Sequence, residues 1–143
     1  WCKASISFGE FASRFKYLVK KTDDFKKLEK AIDKVEINDV GYGNQSCPIK
    51  ETYLDFSKES RMKFLVILTD GVWNNPSSEI KSAEKAKERG VEIFAIGIGT
   101  ADEDFLNQIS SEKGIKVDLS ELSSAFDEVA STIASEISQR SLN

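Results

Sequence analysis

Phe64-Leu65-Val66-Ile67-Leu68-Thr69-Asp70-Gly71 is the stretch on which the fold turns. Five apolar residues run without a break into Thr-Asp-Gly. A continuous apolar run suits a strand covered on both faces, as strands of a parallel sheet are, so Phe64–Leu68 is predicted as the central strand. Asp70 then falls where that strand leaves the sheet, and in open α/β folds ligands bind at this carboxyl edge. A carboxylate there can hold a hard cation or orient a partner. Asp-Gly is also ordinary turn chemistry, and the stretch alone leaves both readings open.

The residues that follow extend the same pattern. Asn74-Asn75-Pro76-Ser77-Ser78 reads as a loop that ends in a helix cap. The next helix carries Ile80, Ala83 and Ala86 and is stopped by Gly90. Val91 to Ile98 is a second buried strand, and Phe105, Leu106 and Ile109 face inward from a short helix. Ile115, Val117 and Leu119 alternate with polar residues, which places that strand near an edge. Leu122, Phe126, Val129, Ile133 and Ile137 form the stripe of a last helix capped by Ser120, and Ser138–Asn143 is predicted to fray. From Met62 onward strand and helix alternate, which implies parallel strands with helical crossovers on both faces.

Upstream, Ala4, Ile6 and Phe8 alternate with Ser5 and Ser7, Gly9-Glu10 suits a turn, and Phe15–Val19 reads as a second strand, so a hairpin is predicted. Thr22 or Asp23 caps a helix with Phe25, Leu28, Ala31, Ile32 and Val35 on one face. Asn38 to Cys47 is a polar loop containing Gly41 and Gly43, and Pro48 suits the first turn of the helix after it.

Composition sets the bounds. A chain of 143 residues suits one compact domain. A hydrophobic fraction of 40% and a charged fraction of 31% are those of an ordinary soluble globule. The net charge of −4, with lysines and acids interspersed, speaks against nucleic acid as partner. The absence of histidine removes Ser-His triads and most zinc sites. Cys2 and Cys47 lack metal-type spacing and read as structural thiols, although the fold decides whether they meet. No run of 18 apolar residues is present to span a membrane.

Taken together and in order, these segments resemble the von Willebrand factor type A domain from Ala4 to about Ile137. The strand ending in Thr69-Asp70-Gly71 carries the likeness. So do Gly90-Val91-Glu92-Ile93-Phe94-Ala95-Ile96-Gly97-Ile98-Gly99, the following Ala101–Leu106, and the helix from Leu122 to Val129. The resemblance implies a Rossmann-like fold with a mostly parallel central sheet, helices on both faces and one antiparallel edge hairpin. It also implies a metal-ion-dependent adhesion site at the carboxyl edge, where hydroxyls, carboxylates and waters suit magnesium's octahedral demand. The family builds that site from Asp-x-Ser-x-Ser after its first strand, a threonine in a glycine-rich loop, and the aspartate of Thr-Asp-Gly.

The chain departs from this pattern twice. It contains no Asp-x-Ser-x-Ser: Ser5-Ile6-Ser7 has Lys3 where the acid would be. Ala4–Phe8 better matches the family's second strand, so the first strand and helix are read as absent and the natural chain is expected to continue upstream of Trp1. Gly41-Tyr42-Gly43-Asn44 resembles the glycine loop with Asn44 in place of threonine, and Ser46 serves instead if the loop shifts by two. Asp70, Asn44 and Ser46 thus make an incomplete metal set. Magnesium or manganese is expected to bind tightly only if upstream residues complete it, and otherwise no cofactor is expected.

The leading expectation is a protein-binding, adhesion-type module whose partner meets Gly71, Trp73, Asn74 and Gly43 at the carboxyl edge. Two readings of Trp73 stay open: an exposed anchor, or a side chain folded back onto the core. The alternative is a metal-free scaffold subunit of a larger assembly. An enzyme is disfavoured, because Gly97-Ile98-Gly99 lacks a third glycine and precedes Asp102-Glu103-Asp104, which would repel phosphate.

Overall fold

The structure is a computed structural model that describes residues 4–56 and 61–142. Cys2, and with it any pairing to Cys47, lies outside the described residues. The chain divides into two compact units, Trp1–Pro48 and Ile49–Asn143.

In the first unit β1 (Ile6–Phe11) and β2 (Phe15–Thr22) form an antiparallel hairpin. The predicted turn at Gly9-Glu10 is instead part of β1, and the chain reverses three residues later. The reason is steric. A Cβ on Gly9 would lie 2.9 Å from the Lys16 carbonyl oxygen and 3.0 Å from the Phe15 ring. Glycine therefore permits close strand pairing here rather than a bend. Next comes α1 (Phe25–Asp33), capped by Asp24, whose carboxylate accepts the N–H groups of Lys26 and Lys27. Of the predicted apolar face only Ala31 is buried, while Phe25, Ile32 and Val35 are exposed.

The second unit holds α2 (Pro48–Phe56), β3 (Lys63–Thr69), α3 (Pro76–Glu88), β4 (Val91–Gly97), α4 (Glu103–Ile109), β5 (Ile115–Lys116) and α5 (Leu122–Ser141), with Pro48 itself falling at the unit boundary. Among the described residues β3, β4 and β5 form a parallel sheet in that order, separate from the hairpin. The strands alternate as a pleat requires. Val91, Ile93 and Ala95 are buried on the side where α3 and α4 pack, together with Ala83, Ala86, Leu106 and Ile109. Phe94 and Ile96 face the other way, where Ala125, Val129, Leu122 and Ile133 of α5 cover them. Helices thus lie on both faces of β4. Each fully buried Ile or Leu in this packing contributes about 1.5–3 kcal/mol.

The expected central position of Phe64–Leu68 is not realised. Among the described residues β4 is central, and β3 and β5 are the two edge strands of this sheet. Ile67 and Thr69 are buried on the α3/α4 side, but Val66 and Leu68 are each 39% exposed on the other. The apolar run was read as burial on two faces, whereas β3 has strand pairing on one side and helix cover over one face.

The termini of the elements follow local chemistry. Pro76 opens α3 at N1, and Asn75 caps it by accepting the Ser78 N–H at 3.3 Å. Gly90, at φ +80, ends the turn after α3. The α5 helix is preceded by a single 3₁₀ turn over Leu119–Glu121, where Asp118 and Glu121 form a capping box, so Ser120 is not the cap. The helix runs to Ser141, and Arg140 in its last turn donates to Glu92 of β4 at 2.8 Å. No helix among the described residues is long and apolar enough to cross a membrane.

Candidate partner-binding edge

β3 and β4 end side by side, Thr69 opposite Gly97, and the loops that leave them are stitched together. The Ile98 N–H donates to the Thr69 carbonyl at 3.0 Å. The Thr100 hydroxyl donates to the Asp70 carbonyl at 3.0 Å. Gly99 adopts φ +59, a left-handed conformation that favours glycine, and lies in ordinary contact range of that same carbonyl oxygen. Sequence reasoning did not single out Thr100, and nothing about an isolated Gly-Thr in a loop signals its reach across to the neighbouring strand end.

Asp70 is exposed at this edge, as its place at a strand terminus implies. Gly71 is half-buried, and Val72 and Asn74 are exposed. Trp73 is different. Only 5% exposed, it packs on Phe105 with ring centroids 4.9 Å apart and donates its indole N–H to the Thr69 hydroxyl at 3.0 Å. The expectation that Trp73 anchors a partner is therefore corrected. The second reading holds, and the indole offers a partner no surface. It acts from below, as the floor of the Asp70–Asn74 loop.

The other candidate residues belong to the first unit. The Gly43 N–H donates to the Ser13 hydroxyl at 2.9 Å, and the Ser46 N–H to the Ala12 carbonyl at 3.0 Å. Gly41, at φ +89, lies so tightly over Ser13 that a Cβ would be 2.6 Å from its hydroxyl oxygen. The glycine loop is thus strapped to the hairpin turn. Asn44 is exposed, and Ser46 is half-buried with its Oγ enclosed. Charges tighten the strap. Lys16 holds Asp39 at 2.6 Å, which lowers the Asp39 carboxyl below its ordinary value, and the Arg14 guanidinium donates to the Asp39 carbonyl. Burial, then contact with Asp39, raises the Glu10 carboxyl.

Around Asp70 the described residues do not make a full divalent-metal site. Magnesium asks for about six oxygens in octahedral array. The Thr69 hydroxyl accepts from Trp73, the Thr100 hydroxyl donates to the Asp70 carbonyl and keeps its lone pairs, and one carboxylate oxygen of Asp102 caps the Phe105 N–H. Among the described residues no three Asp, Glu, Cys or His side chains group into a metal site.

A parallel sheet with helices on both faces of its central strand, and an exposed Asp70 where adjacent strands end, defines a Rossmann-like α/β fold. The chain belongs to the von Willebrand factor type A domain family, whose model matches residues 3–133. A 51-residue stretch is 39% identical to mouse matrilin-1, covering 35% of this chain and 10% of matrilin-1. Among solved structures it resembles proximal thread matrix protein 1 from the mussel byssus, described with a zinc-occupied MIDAS motif. There the TM-score is 0.76 and the identity 22%, over 88% of this chain and 35% of that one. It also resembles the manganese-loaded TRAP protein of Plasmodium vivax, with TM-score 0.66 and 20% identity over 85% of this chain and 55% of that one. The chain therefore spans well under two thirds of each of these proteins.

Proposed function

We propose that the chain is a non-enzymatic protein-binding module of adhesion type that meets its partner at the carboxyl edge of β3 and β4. The observation that carries this reading is the contrast within one loop. Asp70, Val72 and Asn74 are exposed, with Val72 at 53%, while the backbone beneath them is held by the Trp73, Ile98 and Thr100 hydrogen bonds. A rigid base under exposed polar and apolar groups lowers the ordering cost of binding. The mussel byssus protein, described with a zinc-occupied MIDAS motif, and the manganese-loaded Plasmodium vivax TRAP protein support a reading in which a metal joins the contact. A divalent ion joins the contact on this reading only where oxygen ligands beyond Asp70 are supplied.

The test is cross-linking of immobilised protein to an extracellular-matrix extract, with Asp70→Ala/Val72→Asp as the edge variant and Glu128→Ala on α5 as control. At least tenfold loss of captured protein with the edge variant, and none with the control, is expected. Equal capture by all three proteins would refute the reading. The second reading, a metal-free scaffold subunit, is favoured by the lack, among the described residues, of any group of three Asp, Glu, Cys or His side chains that could hold a metal. It predicts capture that is unchanged by a chelator.

A further inference from the structure

Away from the carboxyl edge, three charged side chains meet where α5 crosses β4. Glu92 projects from β4 on the face covered by α5, and its side chain is 24% exposed. Arg140, from the last turn of α5, donates through Nη2 to Glu92 Oε1 at 2.8 Å. Glu136, one turn earlier on the same helix, brings its carboxyl close enough to Glu92 to act on it by hydrogen bonding and by charge. The Glu136 Oε2 atom is enclosed, and no donor among the described residues reaches it. Two ionised carboxylates cannot hydrogen-bond to each other, since both only accept. The contact needs one proton between them. With that proton and Arg140 the cluster is neutral; without it the cluster carries one uncompensated negative charge in a half-buried place.

We propose that the C-terminal turns of α5 are fastened to β4 by a single proton shared between Glu92 and Glu136, so that the helix end is clasped at mildly acidic pH and loosened at alkaline pH. The groups facing Glu92 are Glu136 and Arg140 from α5 and Glu112 from the segment after α4, and its register partner on β3 is the uncharged Phe64. Burial first, then the bond to Glu136 and repulsion from it, push the Glu92 carboxyl up to about 7 against the opposing pull of Arg140. Because the raised value belongs to the folded state, the fold holds more protons than the unfolded chain between 4.5 and about 7. The fastening is therefore complete below the ordinary carboxyl range and is lost as pH rises through about 7.

The clasp is independent of the partner site, and so is its test. Carbon-13 NMR of the glutamate carboxyls from pH 4 to 9 is combined with amide hydrogen exchange of residues 134–141, corrected for intrinsic rates. One carboxyl of the pair titrating near neutrality is expected. A fall in protection of at least fivefold between pH 5.5 and 8.5 is expected with it. In Glu136→Gln the amide donates at every pH, so protection stays level across the range. Glu92→Gln is the second variant and gives the same level profile if the first fails to fold. Ordinary carboxyl titration of both groups, or an equal fall in wild type and variants, would overturn the proposal.

Discussion

The indole N–H of Trp73 donates to the hydroxyl of Thr69 across 3.0 Å, both side chains being buried. This bond ties the last residue of β3 to the loop four residues on, and it gives the Asp70–Asn74 loop its shape. The same tryptophan packs on Phe105, so the loop after β3 and the core beneath α4 share one side chain.

Trp73→Phe keeps a ring against Phe105 but leaves the Thr69 hydroxyl unmatched. A loss of about 1–2 kcal/mol is expected, and Trp73→Ala is expected to cost about 3–5 kcal/mol. Urea unfolding of both variants and of Thr69→Val measures these values. A Trp73/Thr69 double-mutant cycle with no coupling would show that the bond contributes nothing.

Glu79 is 1% exposed, and its Oε2 accepts the Ile49 N–H at 2.9 Å. Pro48 has no N–H, so Ile49 presents the first helical donor of α2, and a side chain from α3 answers it. Glu79→Ala is expected to destabilise by about 1–3 kcal/mol through that stranded donor alone. Glu79→Gln, whose amide oxygen still accepts, should lose less. Equal midpoints for the two variants in denaturant would refute this account.

Gly97 ends β4 beneath α4. A Cβ there would come within 2.5 Å of Leu106 Cδ1 and 2.7 Å of the Ala101 Cβ. Gly97→Ala is expected to cost about 1–3 kcal/mol by overpacking. Relief by Leu106→Ala in the same chain would identify the clash, and thermal unfolding reads both effects.

Calorimetric titration of manganese should give weak heats that Asp70→Ala alters by less than about threefold, because one exposed carboxylate leaves most of an ion's water shell in place. Tight binding abolished by Asp70→Ala would reveal a ligand set that the loop residues do not themselves form.

Much of this fold was legible in sequence. The β3 and β4 runs, the Pro76 and Gly90 boundaries of α3, and the inward face of α4 all follow from local chemistry, and the family likeness rests on the same residues. What failed was of another kind. Apolar Val66 and Leu68 look the same whether a sheet covers them or not, so the outer position of β3 could not be read from them. Gly9 was taken for a turn, because a glycine that admits a neighbouring strand and one that bends the chain are the same letter. For the site, Asp70 was placed at a strand end by pattern alone. The Thr100 tie and the Glu92–Glu136 contact join residues some 30 and 44 positions apart, and no local pattern marks them.

The β3–β4 register has a kinetic side. Every pair from Lys63–Val91 to Thr69–Gly97 spans the same stretch of chain, crossed by α3 alone. Closing a loop of about thirty residues costs little more than closing one half as long. α3, once nucleated, shortens the search by fixing much of that span. The β3–α3–β4 crossover unit is thus expected to nucleate the second unit. Substitutions at Ala83 or Ile93 should slow folding, whereas those in the final turns of α5 should mainly speed unfolding.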